Sequence, residues 1–100
     1  MVTVDALKFE CDEAKNASNQ RKYGVSFEEA QSVFADEFGR LIADPDHSQE
    51  EDRFILLGMS GLLRVLVVCH CYRHGDMIRI ISARKANRSE RSQYEGHKYA

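Results

Sequence analysis

The feature that most restricts this chain is an apolar stretch at residues 62–69, Leu62-Leu63-Arg64-Val65-Leu66-Val67-Val68-Cys69. After His74-Gly75 it is followed by a second β-rich run, Met77-Ile78-Arg79-Ile80-Ile81. Two runs rich in β-branched residues around a glycine turn predict a β-hairpin. The first run is interrupted by Arg64 and is far too short to span a bilayer, so it belongs in the core of a soluble domain. With His74 and Gly75 as a two-residue loop, Arg73 pairs with Asp76, His70 with Arg79 and Arg64 with Lys85, because partners sum to a constant. One face then carries Val65, Val67, Cys69, Cys71, Ile78 and Ile80, suited to packing under helices. The other carries Arg64, His70, Tyr72, Arg79 and Lys85, diluted by Leu66, Val68 and Ile81. A similar register through Ser60-Gly61 brings Arg53 beside His70, and a slip of one residue there reverses the facing.

Around this hairpin the chain reads as α+β. Residues 7–10 form a short strand. Asp12 is a good N-cap for a helix that runs to Tyr23 and stops at Gly24. Ser26 and Glu29 have capping-box spacing and Val25 can staple onto Ala30, so a second helix starts there, with Phe27, Ala30, Val33 and Phe34 on its core side. Residues 39–43 and 53–59 read as strands, separated by the turn Asp44-Pro45-Asp46-His47-Ser48 and the acidic residues 50–52. Asn87, with Glu90 three residues on, begins a short helix through Tyr94, and residues 96–100 read as a frayed tail. The expectation is one domain over residues 1–100, its core at about 7–95. It has an antiparallel sheet of about four strands, two N-terminal helices and a short C-terminal helix.

With 43% hydrophobic and 30% charged residues the composition is globular. The net charge of −2 is not that of a typical nucleic-acid binder, yet the acids crowd into residues 1–52 and the basic side chains into 53–100, so a basic surface can exist on an acidic protein. Three cysteines, Cys11, Cys69 and Cys71, and no apolar leader segment point to the reducing cytoplasm and no membrane. Cys69, His70, Cys71 and His74 are close in sequence. However, His70 faces away from the two cysteines on a strand and no second C-x-x-C completes a tetrahedral site, so neither metal nor cofactor is expected. His47 reads as a turn residue that can titrate beside carboxylates.

Cleavage of RNA through its 2′-hydroxyl needs a base, an acid for the leaving oxygen, and cations for the charge that builds on the phosphate. The hairpin face offers all three: His70 as base or acid, Tyr72 to stack a base or donate a proton, and Arg64, Arg79, Arg53 and Lys85 for phosphate. The plainer reading is a wet sheet surface, which commonly carries Arg, Lys and Tyr.

Several separated motifs occur in order over residues 7–95. They are Phe9-Glu10-Cys11-Asp12 with Lys15 and Asn19, Lys22-Tyr23-Gly24-Val25-Ser26-Phe27-Glu28-Glu29-Ala30, and Asp44-Pro45-Asp46-His47-Ser48. They continue with Gly58-Met59-Ser60 and Ile78-Arg79-Ile80-Ile81-Ser82-Ala83-Arg84-Lys85-Ala86, with Glu90, Arg91 and Tyr94. Together they resemble the BrnT family of bacterial toxins. The resemblance implies the toxin of a type II toxin-antitoxin pair with a RelE-like ribonuclease fold, cutting RNA and halting translation. It implies RNA, free or on the ribosome, as substrate, and a BrnA-type ribbon-helix-helix antitoxin as partner, with DNA met only through that antitoxin. It adds Lys22, Tyr23 and Arg84 to Arg53 and Lys85 as RNA-binding candidates. The family commonly has His at the position of Tyr23, an aromatic residue at Cys11 and an Asp-Pro step at Glu37-Phe38. A relative without catalysis, acting with the antitoxin in autoregulation, is therefore the alternative. A domain whose basic face meets an acidic protein is a third.

Overall fold

The structure, a computed structural model, describes residues 8–43, 53–73 and 76–98. In chain order the elements are β1 (Lys8–Glu10), α1 (Glu13–Tyr23), α2 (Phe27–Ser32) running into a 3₁₀ turn (Val33–Ala35), β2 (Arg40–Ala43), β3 (Arg53–Met59), β4 (Val65–Arg73), β5 (Met77–Lys85) and α3 (Arg88–Lys98). The helix starts follow the local signals. Asp12 accepts from the Lys15 N–H (3.0 Å), Ser26 accepts from the Glu29 N–H (3.0 Å), and Gly24 closes α1 in the left-handed region at φ 70°. Asn87 and Glu90 form a reciprocal capping box at the start of α3 (2.8 and 2.9 Å). That helix continues through Lys98, so residues 96–98 are not the frayed tail that their polarity suggests. The turn around His47, the acidic residues 50–52, His74-Gly75 and Leu7 lie outside the described residues.

The sheet has five strands in the order β1-β5-β4-β3-β2, not about four, and it is mixed. β1 lies parallel beside β5, with Phe9 opposite Ile78, while the remaining pairs are antiparallel. A three-residue strand carries too little pattern to announce its partner.

The register of the hairpin corrects the expected faces. Arg73 pairs with Met77 and His70 with Ile80, not Arg79. A bulge between Cys69 and His70 then places Ile81 as the extra residue, and Leu66, not Arg64, lies opposite Lys85. Arg79 lies opposite Cys71, on the face away from His70. On the other side of β4 the turn is a three-residue loop, Gly61-Leu62-Leu63, closed by Ser60 N–H to Arg64 O (2.8 Å) and Leu63 N–H to Ser60 O (2.9 Å). Arg53 therefore sits opposite Cys71, and Phe54 takes the expected place beside His70.

Both faces of the sheet are covered, so the face read as wet is the main core. Leu66, Val68, His70, Ile80 and Ala83 pack with Leu56 against Val25, Phe27, Ala30 and Val33 of the α2 region. The opposite face, with Leu57 and Val67, packs under Ala86, in the link after β5, and Tyr94 of α3. An uninterrupted Val65-Leu66-Val67-Val68 run is the pattern of a strand buried on both sides. At Gly58 the 3₁₀ turn comes close enough that a Cβ would meet Val33 Cγ1 at 2.9 Å, so only glycine fits there.

Glu29 does not reach back to complete its capping box. Its carboxylate instead receives Arg64 Nε (2.9 Å), Arg64 Nη2 and the Ser60 hydroxyl (2.6 Å), while Arg64 Nη2 also donates to Gly24 O (3.2 Å). The Arg64 guanidinium, then Ser60, hold this carboxyl below the usual range. Its stabilisation is present above the unfolded-chain pKa of about 4.3 and is lost as pH falls through the lower folded value. Glu29→Ala leaves Arg64 without its carboxylate. Breaking a fully buried pair costs about 3–5 kcal/mol; because the Arg64 side chain is 31% exposed, we expect a loss of about 2–3 kcal/mol by urea unfolding. Glu29→Gln should flatten the acid limb of the stability curve.

Candidate functional site

The candidate residues do not form one cluster; they divide between the two ends of β5, about 20 Å apart at the ordinary rise per residue from Arg79 to Lys85. The first group gathers where α1 ends over the last turn of β5. Asn19, buried in α1, donates through Nδ2 to Val25 O and Ala83 O (both 2.8 Å) and accepts from the Ala83 N–H (3.1 Å). This anchors α1, one turn before Lys22 and Tyr23, to the residue of β5 that precedes Arg84 and Lys85. Tyr23 is exposed, with Lys22 Nζ 5.4 Å from its ring centre, and it is close enough to Arg84 to act on that charge. Arg64 joins the same end through Glu29, which feels both Arg64 and Lys85.

The cations at this end are not equivalent. Arg84 makes a two-pronged pair with Glu90 (2.8 Å to each oxygen), and Glu90 is held below the usual carboxylate range by that pair. Arg64 is likewise engaged with Glu29. Lys22 and Lys85 are exposed at the surface, and no hydrogen bond of their side chains is formed among the described residues. An anion approaching this end therefore meets two lysines and Tyr23, backed by two arginines whose positions are fixed by carboxylates.

The second group lies toward the β4–β5 turn and divides between the faces. His70 has no exposed surface and is ringed by Phe34 (centroids 4.8 Å apart), Tyr72 (5.4 Å) and Phe54 (6.2 Å). Its Nδ1 lies 3.2 Å from Val68 O, while Nε2 is buried and has no hydrogen-bond partner among the described residues. Tyr72 stands at the surface, its phenol pKa pushed up by partial burial. Arg79 and Arg53 occupy the opposite face, Arg79 with Glu10 at 3.9 Å. The expected ring of Arg53, Arg64, Arg79 and Lys85 around His70 is thus not formed.

Cys69 and Cys71 share the face away from His70, as the strand period requires, and none of the three cysteines is in a disulfide. Among the described residues no three His, Cys, Asp or Glu side chains gather as a metal site would need, and no helix is long and apolar enough to cross a membrane. Asn19, Glu29 and Glu90 are the positioning residues that chemistry-led reading passes over. Only the spacing of Glu29 from Ser26 and of Glu90 from Asn87 marks the last two.

Burial pushes the His70 imidazole below its ordinary value near 6.5, so the unfolded chain binds a proton first as pH falls. The stability due to neutral His70 is present above about pH 6.5 and is lost below it, down to the folded value. His70→Leu removes an unsatisfied buried nitrogen. We expect it to flatten stability between pH 7 and 5 with little loss at pH 7, measured by thermal unfolding.

The whole chain can be set against known proteins. A crystal structure of the Brucella abortus ribonuclease toxin BrnT, at 1.1 Å resolution, matches with a TM-score of 0.63 and 19% identity, over 82% of this chain and 99% of that one. At that identity the match establishes the shared fold. No curated protein matches the chain. The family model described as "Ribonuclease toxin, BrnT, of type II toxin-antitoxin system" matches residues 11–90. That span runs from the residue before the α1 cap to the capping glutamate of α3, taking in all five groups that build the basic end, and the chain belongs to the BrnT family of type II ribonuclease toxins.

Proposed function

We propose that this chain cleaves RNA and that the RNA backbone lies across the end of the sheet formed by Lys22, Tyr23, Arg64, Arg84 and Lys85. The observation that carries this reading is the junction of α1 with β5, where Asn19 is bonded to Ala83 and exposed Tyr23, with Lys22 over its ring, is close enough to Arg84 to act on its charge. Lys22 and Lys85 bind phosphate as mobile point charges. Arg64 and Arg84, tied to Glu29 and Glu90, keep a fixed positive field behind them. Tyr23, at the position where the family commonly carries His, transfers the proton. Its phenolic O–H donates to the leaving oxygen as a general acid. The reaction needs no metal in this scheme. The 2′-hydroxyl gives its proton to solvent water and attacks the adjacent phosphorus; the new P–O2′ bond forms, the P–O5′ bond breaks, and the 5′-oxygen leaves with the proton from Tyr23.

At the other end Tyr72 with His70 behind it is the alternative proton-transfer pair, since Tyr72 is 46% exposed beside that ring, although Arg79 and Arg53 lie on the opposite face of the sheet. A reading without catalysis has its own support, the absence of the usual His at Tyr23. In either case the partner is an antitoxin, which we take to be of the BrnA ribbon-helix-helix kind. It neutralises the toxin in the cytoplasm and carries any contact with operator DNA. Translation arrest, as in RelE-like ribonucleases, follows from RNA cleavage.

Induced expression with RNA integrity monitored tests this. Lys22→Ala combined with Lys85→Ala should cut RNA cleavage at least tenfold and lessen the salt dependence of RNA binding, with an unchanged unfolding temperature. Tyr23→Phe should abolish cleavage, whereas Tyr23→His should raise it and move its optimum toward pH 6–7. Full activity in Tyr23→Phe with loss in Tyr72→Phe would move the chemistry to the far end. Intact RNA with the wild-type chain would favour the reading without catalysis.

A further inference from the structure

Most of the large apolar side chains left exposed on this molecule fall on one side. Phe38 ends the segment after the 3₁₀ turn, Leu41 stands on edge strand β2, and Leu62 and Leu63 form the β3–β4 loop. Leu62 is 68% and Leu63 80% exposed. Leu63 also has φ 62°, the left-handed conformation that glycine or asparagine usually fills at this place in a three-residue loop. A leucine there is strained and wet at once. Beside the loop runs a groove of about 910 Å³ whose walls include Phe34, Ala35, Phe38, Met59, Gly61 and Tyr94.

The charges around this groove are asymmetric. Glu37 and Asp36 lie on its 3₁₀ wall, but the Asp36 oxygens are already occupied by Met59 N–H (2.8 Å), Phe38 N–H (3.0 Å) and the Tyr94 hydroxyl (2.7 Å), which leaves exposed Glu37 as the acid on offer. On the far side of the leucines comes Arg64, the next residue, then Lys85, which acts with Arg64 on Glu29. An occupant that fits therefore carries apolar anchors, a basic group toward Glu37 and an acidic one toward Arg64 and Lys85. RNA fits none of the apolar part. A second copy would set the same signs against each other unless it turned about the leucines. The partner that a type II toxin has is an antitoxin.

We propose that the antitoxin seats an apolar segment in this groove, anchored on Leu62 and Leu63, and reaches over Arg64 and Lys85. Seated so, it covers the basic end and closes the toxin to RNA. The docking part rests on the two-component nature of the family; the closing part rests also on the proposed RNA site.

The probe is the polypeptide encoded by the adjoining reading frame, titrated into the full chain by calorimetry. Leu62→Glu with Leu63→Glu should weaken binding at least thirtyfold, while the free variant unfolds at the wild-type temperature and cleaves RNA at the wild-type rate. Leu63→Gly should raise the unfolding temperature and still weaken binding, because it relieves the backbone and deletes an anchor. Wild-type affinity in the double variant overturns the proposal, as does a wild-type chain that does not bind the probe. It is equally overturned if the free chain is a dimer that the double variant splits with antitoxin affinity unchanged. Cleavage assayed without the probe judges the RNA site separately: with docking intact, only its loss in the Lys22→Ala, Lys85→Ala chain supports that site.

Discussion

One buried amide, that of Asn19, holds the molecule in its working form. It satisfies two carbonyls and one N–H that belong to the α1–α2 link and to β5, segments 64 residues apart in the case of Ala83. α1 has little else to hold it: its sequence is polar, and Asn19 is its one buried residue. An amphipathic helix is normally kept in place by an apolar stripe; here hydrogen bonds to backbone groups that would otherwise be buried unpaired do that work, and losing them costs a full desolvation penalty rather than the modest value of an exposed bond. Because the amide binds backbone at a fixed register, it also decides which residues of α1 meet which residues of β5.

A second set of polar links ties the layers together. Glu29 joins α2 to the β3–β4 loop through Arg64 and Ser60. Asp36 joins the 3₁₀ turn to β3 and, by way of Tyr94, to the helix on the opposite face. These carboxylates sit where the chain changes direction, so each fixes a turn and a layer contact at once. Arg64, held by Glu29, and Arg84, held by Glu90, lend a local positive field to a protein that is acidic overall.

Much of this was legible beforehand. Helix starts at Asp12, Ser26 and Asn87, the stop at Gly24 and the hairpin of β4 with β5 all come from short-range chemistry, which the sequence writes locally. The facing of the hairpin did not, because it hangs on the length of two loops and one bulge, and each single-residue change turns every side chain over. His70 shows a second limit: it keeps the face of β4 expected for it, with Leu66 and Val68, but the α2 region covers that face and buries it among Phe34, Phe54 and Tyr72. The basic end was legible only in part. Lys22, Tyr23 and Arg84 were marked by family likeness, and nothing local shows that Asn19 would bring the first two to the third.

The parallel pairing of β1 with β5 has a consequence for how the chain comes to exist. Lys8 waits for Met77, 69 positions later (77 − 8), and Asn19 waits for Ala83. Contacts of such separation add most to contact order and pay loop-closure entropy before any reward arrives. On the ribosome, α1 and α2 emerge early but remain without a floor until β5 has cleared the exit channel, and α3 is still to come. The basic end of the toxin therefore comes into being only after β5 has emerged to receive β1 and α1.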